Sequence, residues 1–354
     1  MRKQDRLLLM TAICGELPAK LTGQVVGSDS YAAALVTKLK QEGFLAVRSG
    51  DGYRGYVLKA KGRRYVLEAY GADTAFFLRG AVGRGMVKSE VHKRARLHRM
   101  SEVWVFLWKA GVCIFRSQKS ALGSRLWKDG VEAAAYYGSL EFKTDAEAIK
   151  GSRACGVLLS GNSAYVVYNT MGQRMKWAKK MERSMRTWTE KLLLKKGSIN
   201  TADALILGES AAFLHELLES DGGIRKNLFQ IDDIYERYYY VPMRAEAAVQ
   251  VWLLLDMAKR DRLKEFLSGV LSKKRGKEYA ICDGYDRQGK PVYFCHELEM
   301  RHLLRVKQEI AWRQEGLVVC LDYQKEALQA YFGEKTEIQA VVTERLAEYL
   351  QQDV

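Results

Sequence analysis

The sequence predicts an α+β chain in two parts: a small helical domain closed by a β-hairpin, then a larger mixed-sheet α/β domain. Three observations lead there. Residues 27–61, GSDSYAAALVTKLKQEGFLAVRSGDGYRGYVLKAK, read as a helix, a glycine stop, a short hairpin and a new helix start. Positive charge is concentrated at the start of the chain: residues 1–100 hold 19 Lys/Arg and 8 Asp/Glu, which is +11 of a total of +15. Beyond residue 150, almost wholly apolar strand-like runs alternate with helical stretches, the pattern of a sheet covered on both faces.

A length of 354 residues suits two or three domains. The prolines are Pro18, Pro242 and Pro291, and no low-complexity tract is present, so a disordered chain is excluded. The opening MRKQDRLLLMTAIC is basic then briefly apolar, but Gly15-Glu16 cuts the run short, so a helix is expected rather than a signal peptide. No run approaches the roughly 18 apolar residues of a membrane span, and a cytoplasmic location is expected. The six cysteines (14, 113, 155, 282, 295 and 320) form no CxxC pair and several lie in apolar runs, so they read as buried free thiols.

The first helix is expected over Arg2–Cys14, from Leu7, Leu8, Met10 and Ile13. The second is expected over Leu17–Val26, from the helical spacing of Leu17, Leu21 and Val25. Gly27-Ser28-Asp29-Ser30 supplies a turn and an N-cap, and the third helix runs to about Glu42. Its inward face should be Leu35, Val36 and Leu39, with Ala32 or Tyr31 one turn earlier. Ser30, Ala33, Ala34, Thr37, Lys38 and Gln41 are left outside. Small residues near the helix start allow close approach to base edges, and the polar ones can bond bases or phosphates. Gly43 ends the helix. Phe44–Arg48 and Tyr53–Leu58 are strands around Ser49-Gly50-Asp51-Gly52, a strong hairpin signal. Lys59 begins a fourth helix. This is the order of a winged helix-turn-helix domain. Its candidate DNA-contacting residues are Ser28, Ser30, Tyr31, Thr37, Lys38 and Gln41 on the helix, Arg48, Tyr53 and Arg54 on the hairpin, and Lys61 and Arg63 after it. Residues 79–100 are basic, and Gly80, Gly83 and Gly85 make the first half a linker. The domains expected are 1–78, a basic linker and helix over 79–100, and 101–354, with a further division near 200 left open. A fragment of residues 1–75 is expected to fold alone.

In the remainder, a helix should end at Ala110 and a short strand run over 112–116. A hairpin is expected from Ala154–Leu159 and Ala164–Asn169, then a long helix over 176–195 with Trp177, Met181, Met185, Trp188 and Leu192 on its core stripe. Strands are expected at Ala204–Leu207 and Ile234–Val241, and helices at Ala211–Glu219, Ala245–Ala258 and Asp261–Leu271. A second hairpin is expected from 279–282 and Val292–Cys295, then a helix over Glu299–Gln314, a strand over Leu317–Leu321 and two closing helices.

The segments LLLMTAICGELPAKL, YAAALVTKLKQEGFL and GYRGYVLKAKGRRYVL resemble the N-terminal winged helix-turn-helix domain of replication-relaxation-like proteins, which are carried on plasmids, phages and integrated conjugative elements. That resemblance implies a following domain similar to PD-(D/E)xK nucleases. The order helix, hairpin, long helix, strand over 88–208 would suit its core.

A nuclease of that kind needs carboxylates for Mg²⁺ and a lysine near the attacking water. The matching hairpin, Val157–Ser160 with Tyr165–Asn169, contains no carboxylate. Glu141-Phe142-Lys143 is a nearby Glu-x-Lys, but such a tripeptide arises easily by chance in a chain this charged; Asp283, Glu297 and Glu299 form a second possible set, read first as surface charges at strand ends. His296 and His302, six apart, do not share a helical face, so no zinc pair is expected. A relaxase His-hydrophobe-His motif and a Walker A loop are absent. The expectation is therefore a sequence-specific binder of double-stranded DNA from a mobile element, accessory to replication or mobilisation, without catalysis, cofactor or metal. A homodimer is expected, with a relaxase or replication initiator as protein partner and no membrane contact. The alternatives are a DNA-nicking nuclease or relaxase and a winged-helix transcriptional regulator with a ligand-binding α/β domain.

Overall fold

A computed structural model describes residues 1–78, 90–122, 133–142, 149, 151–161, 163–194, 201–221, 227–269, 271–274 and 281–351. The chain is a mixed α+β protein in two compact units, Met1–Ser124 and Arg125–Val354. Expected boundaries at 78 and 100 differ from this division, because the helix Val91–Lys109 packs with the first unit. The basic residues Arg79, Arg84 and Lys88 lie outside the described residues.

In the first unit, α1 (Lys3–Cys14) is the central helix: every residue from Leu7 to Cys14 is buried. The helix expected over Leu17–Val26 is instead a two-residue strand β1 (Leu17–Pro18), a 3-10 turn (Ala19–Leu21) and a short α2 (Thr22–Val26). Leu17 and Pro18 pair with Tyr56 and Gly55. Tertiary strand pairing thus overrides the local helical spacing. α3 (Asp29–Gln41) follows, then β2 (Leu45–Gly50) and β3 (Tyr53–Leu58), which complete an antiparallel sheet in the order β1-β3-β2. α4 (Ala60–Ala69), α5 (Gly71–Leu78) and α6 (Val91–Lys109) close the unit. Phe77 of α5 meets Trp104 of α6 edge-on, with ring centroids 6.1 Å apart. Of the strand expected over 112–116, only a single β-bridge residue, Cys113, is present. Val112 donates its amide to Leu107 at the end of α6, and a 3-10 turn runs Arg116–Gln118.

The second unit contains two five-stranded sheets that repeat one another. The first has the order β4 (Ala135–Gly138), β5 (Gly156–Leu159), β6 (Ala164–Asn169), β7 (Asp203–Gly208), β8 (Tyr238–Pro242). Its first two pairings are antiparallel and its last two parallel. Helices α7 (Ser139–Phe142), α8 (Lys179–Leu194), α9 (Phe213–Leu218) and α10 (Ala248–Leu255) are interleaved, and α11 (Met257–Ser268) leads onward. The second sheet has the order β9 (Lys273–Lys274), β10 (Gly284–Tyr285), β11 (Pro291–Phe294), β12 (Leu317–Leu321), β13 (Glu337–Val341), with the same sequence of senses. α12 (Met300–Arg313), α13 (Lys325–Phe332) and α14 (Thr343–Gln351) take the places of α8, α9 and α10.

The registers agree bond for bond. One residue before the second strand, Cys155 N donates to Val167 O and Asp283 N to Val292 O. One residue past the third strand of one sheet, Thr170 N donates to Leu207 O; at the matching place Cys295 N donates to Val319 O. The strands β6, β7, β8 and β12 are buried or nearly so along their whole length, as parallel strands covered on both faces require. The two halves are sewn together by a fully buried Gln250. Its amide donates to Tyr240 O (2.7 Å) and Glu297 O (2.8 Å), and its carbonyl accepts from the Tyr323 hydroxyl (2.8 Å).

Most expected elements of this unit form within a few residues of their predicted bounds. Ile234 and Tyr235 are buried in a loop rather than in β8, and β13 lies between the two closing helices where no strand was expected. A division near 200 falls between α8 and β7, inside the first sheet. Tyr279 and Ala280 of the expected second hairpin lie outside the described residues. All six cysteines are free, and five are buried. Among the described residues, no helix is long and apolar enough to cross a membrane.

Candidate nucleic-acid interface

α3 is built as its apolar period dictates. Ala32, Leu35, Val36 and Leu39 are buried. Ser30, Tyr31, Ala33, Ala34, Thr37, Lys38, Lys40 and Gln41 are exposed. Ser28 is the N-cap; its hydroxyl accepts from Tyr31 N (3.4 Å) and lies 3.1 Å from Ser30 Oγ. Thr37 Oγ1 donates back to Ala33 O (2.9 Å). Lys38 is 3.8 Å from Glu42, a loose exposed pair that phosphate can displace. Tyr31 is 45% exposed, and the Lys3 ammonium sits 4.9 Å from its ring centroid. Lys3 thus joins this face from α1, a neighbour that spacing within α3 does not reveal.

The hairpin pairs six residues on each strand, from Leu45↔Leu58 to Gly50↔Tyr53. Asp51 and Gly52 both have positive φ (55° and 78°), the conformation a two-residue primed turn needs. Arg54 is exposed on the return strand opposite Ser49. Gln41 and Arg54 side chains have no hydrogen-bond or ion-pair partner among the described residues.

The other candidates hold the scaffold. Lys61 Nζ donates to Glu42 O (2.9 Å) and lies over the Phe44 ring (4.6 Å), closing the C-terminal end of α3. Arg63 donates to Leu78 O (3.1 Å). Arg48 Nη1 reaches Glu16 Oε2 (3.4 Å). Tyr53 is half-buried, with its ring edge-on to His98 at 5.0 Å.

Arg48 and Tyr53 belong to a buried clamp that sequence reasoning missed. Glu16, just before β1, is 0% exposed; Arg94 and His98 of α6 are 2% and 5% exposed. Arg94 Nη2 donates to Glu16 Oε1 at 2.6 Å, and His98 Nε2 is 3.0 Å from the same oxygen. Arg94 also donates to Gly50 O (3.0 Å), Tyr53 O (3.2 Å) and Arg48 O (3.5 Å), so one guanidinium holds carbonyls on both strands of the hairpin. Gly55 leaves room for this arrangement: a Cβ there would stand 2.8 Å from the Glu16 side chain. Burial raises the Glu16 carboxyl, but the hydrogen bonds from His98 and Arg94 outweigh it and hold it down at about 2.

In the second unit the candidate carboxylates do not converge. Asp283 accepts from Phe294 N (2.7 Å). Glu297 pairs with Arg260 (3.3 Å). Glu299 caps α12 by accepting from Arg301 N and His302 N, and also accepts from Tyr238 N. Glu141 accepts from Gly138 N (2.9 Å), while Lys143 lies outside the described residues. His296 is buried and His302 is held at about 4, both lowered first by burial. Among the described residues, no group of three or more His, Cys, Asp or Glu is placed to hold a metal ion. Compared with family models, curated proteins and solved structures, the chain matches none.

Proposed function

We propose that the first unit is a winged helix-turn-helix domain that binds double-stranded DNA, with α3 in the major groove and the β2–β3 hairpin on the flanking backbone. One observation carries this. A helix whose outer face is small and polar (Ser30, Ala33, Ala34, Thr37, Lys38, Gln41) is followed directly by a hairpin that exposes Arg54. Small side chains let a helix approach base edges, Gln41 can bond them, and the cations supply phosphate contacts. The local excess of positive charge strengthens the electrostatic part of binding.

The wider setting rests on the resemblance to replication-relaxation-like proteins. In it the protein is an accessory factor of a mobile element, bound at a replication or transfer origin, working as a homodimer and docking a relaxase or initiator without catalysis of its own. A single helix and wing cover one half-site, which favours two copies on a paired site.

The test is binding of the full chain to duplex fragments selected from a random pool. Lys38→Ala and Arg54→Ala should each weaken binding and reduce the salt slope by about 0.9 for each phosphate that is no longer neutralised. Gln41→Ala should relax base preference at one position. Unchanged affinity and slope in all three variants would rule this surface out as the reader.

A further inference from the structure

We propose that the outer face of α8, in the second unit, is a separate binding surface for the phosphate backbone of duplex DNA. Residues 173–191 contain seven Lys/Arg and two Asp/Glu. Of the two acids, Glu182 is fully buried, accepting from the Ser152 and Tyr168 hydroxyls, and Glu190 pairs with Arg186 at 2.7 Å. Neither offsets the cations on the outer side.

The helix separates its faces cleanly. Glu182, Met185, Thr189 and Leu193 form the buried stripe; Lys180, Arg183, Thr187 and Lys191, two residues out of phase, form the opposite, exposed stripe. Arg174 and Lys176 are exposed just before the helix, where the bridge Lys176↔Leu228 fixes the backbone. Arg183 pairs with exposed Asp233 (2.9 Å). The side chains of Arg174, Lys176, Lys180 and Lys191 have no ion-pair partner among the described residues.

The repeat within this unit supplies an internal comparison. α12 occupies the same place in the second sheet. Its outer stripe is Arg301, Arg305, Gln308 and Trp312, and Arg301 is turned onto the carbonyls of Asp232 and Tyr235. α12 is also basic, but its cations are mostly engaged: besides Arg301, Lys307 pairs with Glu219 (3.4 Å) and Arg313 with Glu309 (2.6 Å). On α8, Lys180 and Lys191 have no such pair among the described residues.

Its chemistry suits a polyanion of regular spacing. From Lys180 to Lys191 the stripe spans about 16 Å at 1.5 Å per residue, enough to reach both phosphate rims of a groove about 12 Å wide. It exposes no apolar side chain. A membrane-surface helix would need an apolar face for lipid, and the apolar face of α8 is in the core.

The experiment uses the full chain with Arg174, Lys176, Lys180 and Lys191 all changed to Gln, titrated with a fluorescent 30-base-pair duplex of mixed sequence at several salt concentrations. The expected result is at least about tenfold weaker binding near 0.1 M salt, and a salt slope lower by up to about 3.6. If the fourfold variant unfolds, Lys180→Gln with Lys191→Gln should lower the slope by up to about 1.8. Unchanged affinity and slope in a folded variant overturn the proposal. So does loss of binding to phosphatidylserine vesicles with duplex binding intact. The Lys38→Ala and Arg54→Ala variants are read in parallel. If they bind normally while the α8 variant does not, the role of α3 fails and that of α8 stands.

Discussion

Replacing Arg94 by Ala should loosen the hairpin and, through it, weaken the DNA binding proposed for α3 and the hairpin, although Arg94 lies buried beneath the hairpin. Its guanidinium makes hydrogen bonds to Glu16 and to three hairpin carbonyls. Among the described residues, truncation leaves the fully buried Glu16 carboxylate with His98 at 3.0 Å and Arg48 at 3.4 Å, and removes a donor from the Gly50, Tyr53 and Arg48 carbonyls. Removing one member of a buried charge pair costs about 3–5 kcal/mol, because the survivor stays desolvated. Replacing both members together, as in Glu16→Leu with Arg94→Met, should recover most of that loss.

The clamp also fixes the acid response. The folded carboxyl of Glu16 is held at about 2, below its ordinary 4.5. Its stabilisation is therefore complete above about pH 4.5 and is lost as the pH falls from there towards 2, a contribution on the order of 3 kcal/mol. The assay is hydrogen exchange over residues 45–58 beside urea unfolding, each at pH 7 and pH 3.5. Arg94→Ala should expose the hairpin amides at pH 7, reduce stability by several kcal/mol and flatten the change between the two pH values. DNA affinity should fall with it, since a mobile hairpin must be ordered on binding. A loss of stability under about 1 kcal/mol with unchanged exchange at the hairpin would refute the clamp.

Other consequences are as direct. Burial raises Asp203 to about 6 against the pull of Arg237, 3.6 Å away, and its Oδ1 has no hydrogen bond. Its charge thus opposes folding above pH 6, and the penalty fades as pH falls through 6 towards 3.8. Asp203→Asn should stabilise the chain at pH 7.5 by about 1–3 kcal/mol and give no gain at pH 4, measured by urea melts. A fragment of residues 1–122 should unfold cooperatively. One of residues 1–78 lacks α6, leaving Glu16 without Arg94 and Phe77 without Trp104, and should show no cooperative transition in urea.

The need for α6 in that fragment marks where local pattern stopped being enough. The inward face of α3 was legible because Ala32, Leu35, Val36 and Leu39 follow the helical period. The hairpin was legible because Asp51-Gly52 suits the two positive φ angles its turn requires. The clamp was not. Glu16 and Arg94 are 78 residues apart, and each looks like surface charge until β1 and α6 close over them. β1 was hidden for the same reason, since a strand of two residues exists only by pairing with β3. The repeat in the second unit was obscured by its shortest strands: β9 and β10 hold two residues each, too few to show any period.

The basic face of α8 shows why charge counted along the chain misleads about charge on a surface. Residues 101–354 carry only +4 in sum, which points attention to the first hundred residues. Screening limits an exposed charge to about 8 Å at physiological salt. A carboxylate elsewhere in the unit cancels Lys180 in the count but not at the helix surface. What sets the potential there is which acids lie within that distance: on α8 one acid is buried against Tyr168 and the other is held by Arg186, while exposed Asp233 offsets Arg183 alone. A fold that turns Glu182 inward leaves Lys180, Arg183 and Lys191 outward on the same helix. Binding surfaces on this chain should therefore be sought by face, from the phase between buried and exposed stripes. By that criterion α8 and α3 are alike. Each packs a regular stripe into its own core and turns outward side chains that the core does not need, cationic on α8 and small or polar on α3.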